Sequence, residues 1–243
     1  EMHKYGIILG TCMALLACCS CNNDLVEYKS NDLKITLQKG ESWLHDFPLF
    51  LGISRKNPPQ IAIWLEDKDG NYLSTVYVTH KIATQSWLMA GKNRRKEALP
   101  HWCYSRGVKY DDGLYLPTKK EPFTDGLTGA TPHSGFDVKM QPADGLKQFR
   151  IKIEINHSTD FNESYPKSAQ EGDDNYSGGK EGSGQPAVVY AADIDLTSGV
   201  TSYVASLIGH SSPDGSNGQL YTDTSSLTSA LKIVEQITIT IQP

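Results

Sequence analysis

Phe149-Arg150-Ile151-Lys152-Ile153-Glu154-Ile155 is the stretch that decides the fold class. Every second residue is apolar, the period of a strand with one buried face. Phe149, Ile151, Ile153 and Ile155 are thereby assigned to a core, and Arg150, Lys152 and Glu154 to water. Upstream, Phe136 to Met140 predicts a partner strand, joined through Ala143-Asp144-Gly145 as a hairpin. Gln60 to Leu65 and Tyr72 to Val78 predict another hairpin around Asp67-Lys68-Asp69-Gly70-Asn71. Leu33 to Gln38, Ala187 to Ile194, Ser202 to Ile208 and Leu231 to Ile241 are further strands. The last alternates Ile237, Ile239 and Ile241 with Thr238 and Thr240, which suits an edge or terminal position.

Helical signals are few. Asn93 to Tyr104 is the only helical segment predicted, and Pro100 should end or kink it. Ser168 to Gln185 and Ser211 to Ser226 are rich in Gly, Ser, Asp and Asn and predict long, mobile polar loops. Many short strands separated by turn residues argue an all-β sandwich, with residues 31–243 as one domain.

With 243 residues, 38% hydrophobic and 21% charged, the chain can bury a substantial core. A net charge of −5 argues against a nucleic-acid partner. The basic run Lys92-Asn93-Arg94-Arg95-Lys96 is short, is followed by Glu97, and reads as a solvated helix start. Lys4 precedes an apolar stretch, Gly6 to Ala17, that is too short to span a bilayer, so residues 1–21 read as a secretion signal and 22–30 as a tether. Leu15-Leu16-Ala17-Cys18 resembles the lipobox of bacterial lipoproteins. The resemblance implies acylation of Cys18, with Cys19 and Cys21 as alternatives, and an anchor in an envelope membrane facing the periplasm or the cell surface. An ordinary cleaved signal is the other reading. Of the five cysteines only Cys103 lies beyond this region, where it reads as a small buried hydrophobe; it leaves no partner for an internal disulfide.

Candidate chemistry is sparse. The turn at Asp67 to Asn71 begins like a calcium loop but lacks the later ligands and the closing glutamate. His80, His101, His133, His157 and His210 are scattered, no metal site is predicted, and there is no Gly-x-Ser-x-Gly elbow. Glu154 to Asp160 brings carboxylates near His157 and reads as a hydrogen-bonded strand terminus. A hydrolytic site assembled only in space trails the other readings.

Asp125-Gly126-Leu127-Thr128-Gly129-Ala130-Thr131 resembles the acceptor motif of periplasmic FMN-binding domains. The resemblance implies covalent FMN, attached through a phosphoester to Thr131 by a flavin transferase. An exposed Thr131 hydroxyl would be required, Gly129 and Ala130 would leave the approach open, Thr128 completes the motif, and Asp125 would help place the phosphate donor. Tyr110, Tyr115, Phe123 and Phe136 could then pack on the isoalloxazine ring.

A longer resemblance runs through Ile61 to Lys81, Leu99-Pro100-His101-Trp102, Thr128 to Thr131, and Phe149 to His157 followed by Gln185-Pro186-Ala187. These segments are similar to the bacterial periplasmic family catalogued as domain of unknown function 2271. That resemblance implies an immunoglobulin-like sandwich related to the flagellar hook-capping protein. Two functions are expected from the whole: a non-enzymatic electron carrier bearing FMN on Thr131 and passing electrons to a redox partner, or a cofactor-free binding or assembly module of the envelope.

Overall fold

A computed structural model describes residues 29–48, 51–87 and 93–243. The stretch expected to be a signal, 1–21, with Cys18 and its alternatives Cys19 and Cys21, and the expected tether up to residue 28 lie outside the described residues. In chain order the strands are β1 (Leu33–Lys39), β2 (His45–Pro48), β3 (Ser54–Asn57), β4 (Gln60–Glu66), β5 (Tyr72–Thr79), β6 (Leu127–Gly129), β7 (Phe136–Met140), β8 (Gln148–Asn156), β9 (Val188–Asp195), β10 (Ser202–Val204), β11 (Ser206–His210) and β12 (Val234–Ile241). Two short helices, α1 (His80–Thr84) and α2 (Pro100–Ser105), lie between β5 and β6.

The alternating apolar residues of β8 fill the space between two sheets. One sheet has the order β10-β12-β1-β7 and the other β11-β9-β8-β4-β5-β6, so the protein is an all-β sandwich; β2 and β3 form a separate ribbon. Ile151, Ile153 and Ile155 of β8, Ile61 and Ile63 of β4, Leu33 and Ile35 of β1 and Ile239 of β12 are all fully buried in one core. Each such side chain contributes roughly 1.5–3 kcal/mol of transfer free energy. The hairpin of β4 and β5 forms as predicted, closed by Asp67, whose carboxylate accepts the backbone N–H groups of Asp69 and Asn71 at 2.9 and 2.8 Å.

Three expectations about pairing are corrected. β7 and β8 do not form a hairpin: β7 pairs with β1, and β8 with β4 and β9, so the turn at Ala143-Asp144-Gly145 carries the chain from one sheet to the other. Ser202 to Ile208 is not one strand but two in opposite sheets, β10 and β11, with buried Ala205 at the crossing. β12 is not an edge; it lies between β10 and β1. Alternation specifies which face of a strand is buried and is silent about which strand lies beside it.

The outer face of the six-stranded sheet is the larger surprise. Glu154, expected in water, is fully buried there, because α1, α2 and the long loops form a third layer around a second apolar cluster that includes Trp64, Val78, Ile82, Leu99, Trp102 and Phe123. Pro100 begins α2 instead of ending a helix, since at the first helical position its missing N–H is no loss. The next two N–H groups, of His101 and Trp102, have no intrahelical partner and donate to Glu154 Oε1 and Oε2 at 3.1 and 2.7 Å. Ser211 Oγ adds a third bond to Oε1 at 2.5 Å. Lys152 also lies under this layer, with Nζ 3.0 Å from Glu66 Oε2 and 3.1 Å from His101 Nε2.

The polar loops are pinned by the same layer instead of moving freely. Ser177, Ser183, Gln185, Ser211 and Ser212 are buried, and Ser183 Oγ donates to Asn156 Oδ1 at 2.7 Å. The basic run is not solvated either. Arg95 is buried, contacts Glu97 Oε1 at 3.4 Å, bonds Ser158 Oγ and Ser183 Oγ, and lies 4.8 Å from the Trp87 ring centroid. Arg94 donates to the carbonyls of Leu116 and Pro117 at 2.6 and 2.7 Å and pairs with Asp112. Cys103 is buried and free as expected, and burial pushes its thiol well above the ordinary range.

Candidate functional site

Thr131 is placed where the flavin motif does not need it. Its side chain is 5% exposed, and its hydroxyl lies 3.3 Å from Thr79 Oγ1. Thr79 Oγ1 also lies 3.2 Å from the Ile61 carbonyl, to which it can donate. The turn inward has a local cause: Trp43, itself buried, donates Nε1 to the Pro132 carbonyl at 3.0 Å and holds the chain just after Thr131 against the core. The expectation of an exposed acceptor hydroxyl is therefore corrected, and the residues present do not fit covalent FMN at this position.

The rest of the motif is split. Thr128 and Ala130 are exposed and Gly129 is half-buried, its carbonyl accepting the Tyr77 hydroxyl at 3.1 Å. Burial raises the Tyr77 hydroxyl above its usual range, opposed by its bonds to Thr131 and Thr79. The aromatic residues expected around a flavin do not share a face. Phe123 packs edge-on to Trp102 at 5.5 Å and Tyr115 stacks on Tyr104 at 4.3 Å, both in the outer layer. Phe136 packs on Tyr77 at 5.4 Å between the sheets, and Tyr110 accepts a bond from Arg106 at 3.1 Å.

Nor do the histidines among the described residues form a reactive constellation. His157 is buried and donates Nε2 to the Ser42 carbonyl at 2.8 Å, and burial pulls its pKa down to about 4. Glu154 faces α2 instead, held by Ser211 and the two backbone N–H groups. Ser229 Oγ donates to Asp160 Oδ1 at 2.6 Å and accepts from Gln185 Nε2 at 2.6 Å, which occupies the hydroxyl without a histidine. Among the described residues no cluster of His, Cys, Asp or Glu has the makings of a metal site.

What the structure does build is a cleft of about 970 Å³ at one margin of the sandwich. β7 closes the four-stranded sheet on this side, and β5 with the short β6 closes the six-stranded one. β6 pairs with β5 only along Tyr77–Thr79; before it the 124–126 segment lies against β5 at Thr75 without pairing, and among the described residues no strand pairs outside β5 from Tyr72 to Val76. Two register shifts against β4 make Val76 and Leu73 extra residues on β5, and such bulges bend a strand and re-aim its side chains. Both line the cleft, with Leu65, Leu127, Met140 and Leu146 supplying further apolar surface. Leu73 and Leu127 are 42% and 59% exposed. Asp125, from the motif, and Asp144, from the inter-sheet turn, supply carboxylates, and Lys139 lies 3.1 Å from Asp32 Oδ2.

Gly126 keeps this shape. A Cβ there would lie 2.8 Å from the Thr75 carbonyl and 3.2 Å from the Phe123 ring, so the 124–127 segment can lie against β5 only as glycine. Gly126→Ala is expected to lower stability by about 1–3 kcal/mol, read from urea unfolding. An unchanged midpoint would mean that the segment is not clamped.

Sequence reasoning found Asp125 for a different reason and missed Leu73, Val76, Leu127, Met140 and Leu146. Bulges leave no mark in the alternation of a strand this short, and a cleft between two sheets depends on the pairing that alternation does not specify. No family model, no curated protein and no solved structure matches the chain. Among the described residues no helix is long and apolar enough to cross a membrane.

Proposed function

We propose that the protein is a cofactor-free recognition module of the cell envelope, which takes a partner into the cleft between β5–β6 and β7. The observation that carries this reading is the cleft itself: an apolar concavity with exposed leucines at a bulged, partly unpaired strand, the kind of surface on which binding sites are built. Its envelope setting rests on the lipobox resemblance at Cys18. The carrier reading loses support because its acceptor hydroxyl is inside the sandwich.

The test is a photo-crosslinker. With p-benzoylphenylalanine in place of Leu127, irradiated cells that express the protein natively should yield a discrete covalent product identifiable by mass spectrometry. The same residue in place of Val108, exposed to 43% but outside the cleft, should yield none. Equal labelling from both positions, or from neither, would overturn the reading. In parallel, co-expression with a periplasmic flavin transferase that modifies a control acceptor should leave the mass unchanged; a gain of FMN minus water on the Thr131 peptide would restore the carrier.

A further inference from the structure

We propose that the turn of the β2–β3 ribbon is a membrane contact: Leu51 and Ile53 enter the boundary between headgroups and acyl chains of a bilayer that carries anionic phospholipid, and Arg55 and Lys81 meet its phosphates. This surface is separate from the cleft, none of whose lining residues belongs to the ribbon.

The first feature is a leucine that the fold does not use. Leu51 is 90% exposed, more than any other large hydrophobic among the described residues, and Ile53 is 56% exposed. Leu51 and Gly52 have φ of +53° and +75°, a left-handed pair at the turn. Tight hairpin turns of this kind select Asn or Gly, and a bulky residue in that conformation is costly. Leucine here serves neither the turn nor the core. Its apolar surface is presented to something outside the chain.

The second is charge. Ile53 and Arg55 are two residues apart at the start of β3, which puts them on one face of the ribbon. Lys81 of α1 lies near enough to Arg55 to feel its charge: burial, with repulsion from Arg55 and Arg95, holds the Lys81 ammonium below its usual range. Lys56 is paired with Asp46 at 3.3 Å, whereas among the described residues neither Arg55 nor Lys81 forms an ion pair. Two unneutralised cations behind an apolar turn match the layering of an anionic bilayer, with phosphates outside and acyl chains within.

The third is shape. Among the described residues β2 and β3 pair only with each other, apart from both large sheets. Two aliphatic side chains at the turn of a narrow ribbon offer far less than the roughly 1,000 Å² that a specific protein interface needs, while a fluid lipid surface requires no matching shape.

The experiment places the environment-sensitive fluorescent amino acid Anap at position 51 of the full chain. Unilamellar vesicles are then titrated in, made either of phosphatidylcholine alone or of phosphatidylcholine and phosphatidylglycerol in equal parts. The reading is local, so attachment elsewhere on the chain does not by itself produce it. On the anionic vesicles the emission should shift to the blue and be quenched by doxyl-labelled acyl chains. At Val108, exposed to 43% and outside the ribbon, the probe should do neither. Arg55→Gln and Lys81→Gln should each raise the lipid concentration at the half-maximal shift about fivefold. Ile53→Asp should abolish the shift, with circular dichroism verifying the fold and Ile53→Ser as the milder second variant. A probe at position 51 that stays in water on the anionic vesicles, a shift as large on phosphatidylcholine alone, or a shift shared by position 108 overturns the proposal. So does p-benzoylphenylalanine at position 51 that crosslinks in cells to a protein and not to lipid.

Discussion

Arg95→Ala is expected to destabilise the fold by about 3–5 kcal/mol, measured as a shift in the urea unfolding midpoint, because it strands Glu97 in the interior. Both members of this pair are buried almost completely, at 4% and 1% exposure. Burial depresses the guanidinium of Arg95 and raises the carboxyl of Glu97, each effect opposed by the partner's charge. The loop through Gly178 packs directly on this carboxylate: a Cβ on Gly178 would lie 2.7 Å from Glu97 Oε1. Water therefore has little access once the guanidinium is gone. Removing both charges, as Arg95→Met with Glu97→Leu, should recover most of the loss, since two apolar side chains leave no orphaned ion. If the single change cost under about 1 kcal/mol, like a surface pair, the third layer would not be excluding solvent.

Glu154 and His157 should oppose one another across the same range of pH. Burial raises the carboxyl of Glu154 from its usual 4.5 to about 7, against the pull of Ser211, Trp102 and His101. Below pH 4.5 it is protonated folded or unfolded and has no effect. As pH rises from 4.5 to 7 the unfolded chain releases a proton that the folded protein keeps, so stability falls by about 3 kcal/mol and then levels off. His157 behaves in the reverse sense. Burial lowers it from 6.5 to about 4, so above pH 6.5 it is neutral in both states. As pH falls from 6.5 to 4 the unfolded chain binds a proton that the folded protein refuses, and stability drops by about 3 kcal/mol.

Between pH 4.5 and 6.5 the two contributions cancel in the native protein. Relative to it, Glu154→Gln should gain stability as pH rises through this window, and His157→Gln, which can still donate to the Ser42 carbonyl, should lose it. Urea midpoints at intervals from pH 4 to pH 8 provide the check, and groups common to all three proteins drop out of the differences. Three parallel profiles would mean that neither group is as buried as its surroundings indicate.

The strands of this fold were legible because they need only a local pattern. Leu33, Ile35 and Leu37 of β1 and Ile237, Ile239 and Ile241 of β12 alternate, and every one of them is in the inner core. The partners of those strands were not legible. Asp144-Gly145 is sound turn chemistry, Gly145 having φ +83°, yet the same chemistry serves a hairpin or a passage between sheets. Lys152 and Glu154 looked like solvent residues because period-2 reasoning equates polar with wet. Here a helix start supplies the N–H groups that make a buried carboxylate tolerable, and α2 lies about 50 residues from Glu154 in sequence, as its hydrogen bond to Trp102 records. Thr131 failed for a related reason. The motif specifies residue types, whereas the direction of one hydroxyl was set by Trp43, far upstream.

The chain passes from β10 to β11 through Ala205 alone, whose N–H is held by the Ile237 carbonyl at 2.9 Å. That margin is bound like the spine of a book. At the opposite margin two connections join the sheets, 130–135 from β6 to β7 and the turn at 141–147 from β7 to β8, and the pages can part there without breaking any strand pairing. Opening of the sandwich is therefore expected at β7 and the bulged end of β5 before it is expected at the spine, which would let the width of the slot vary while the spine stays fixed.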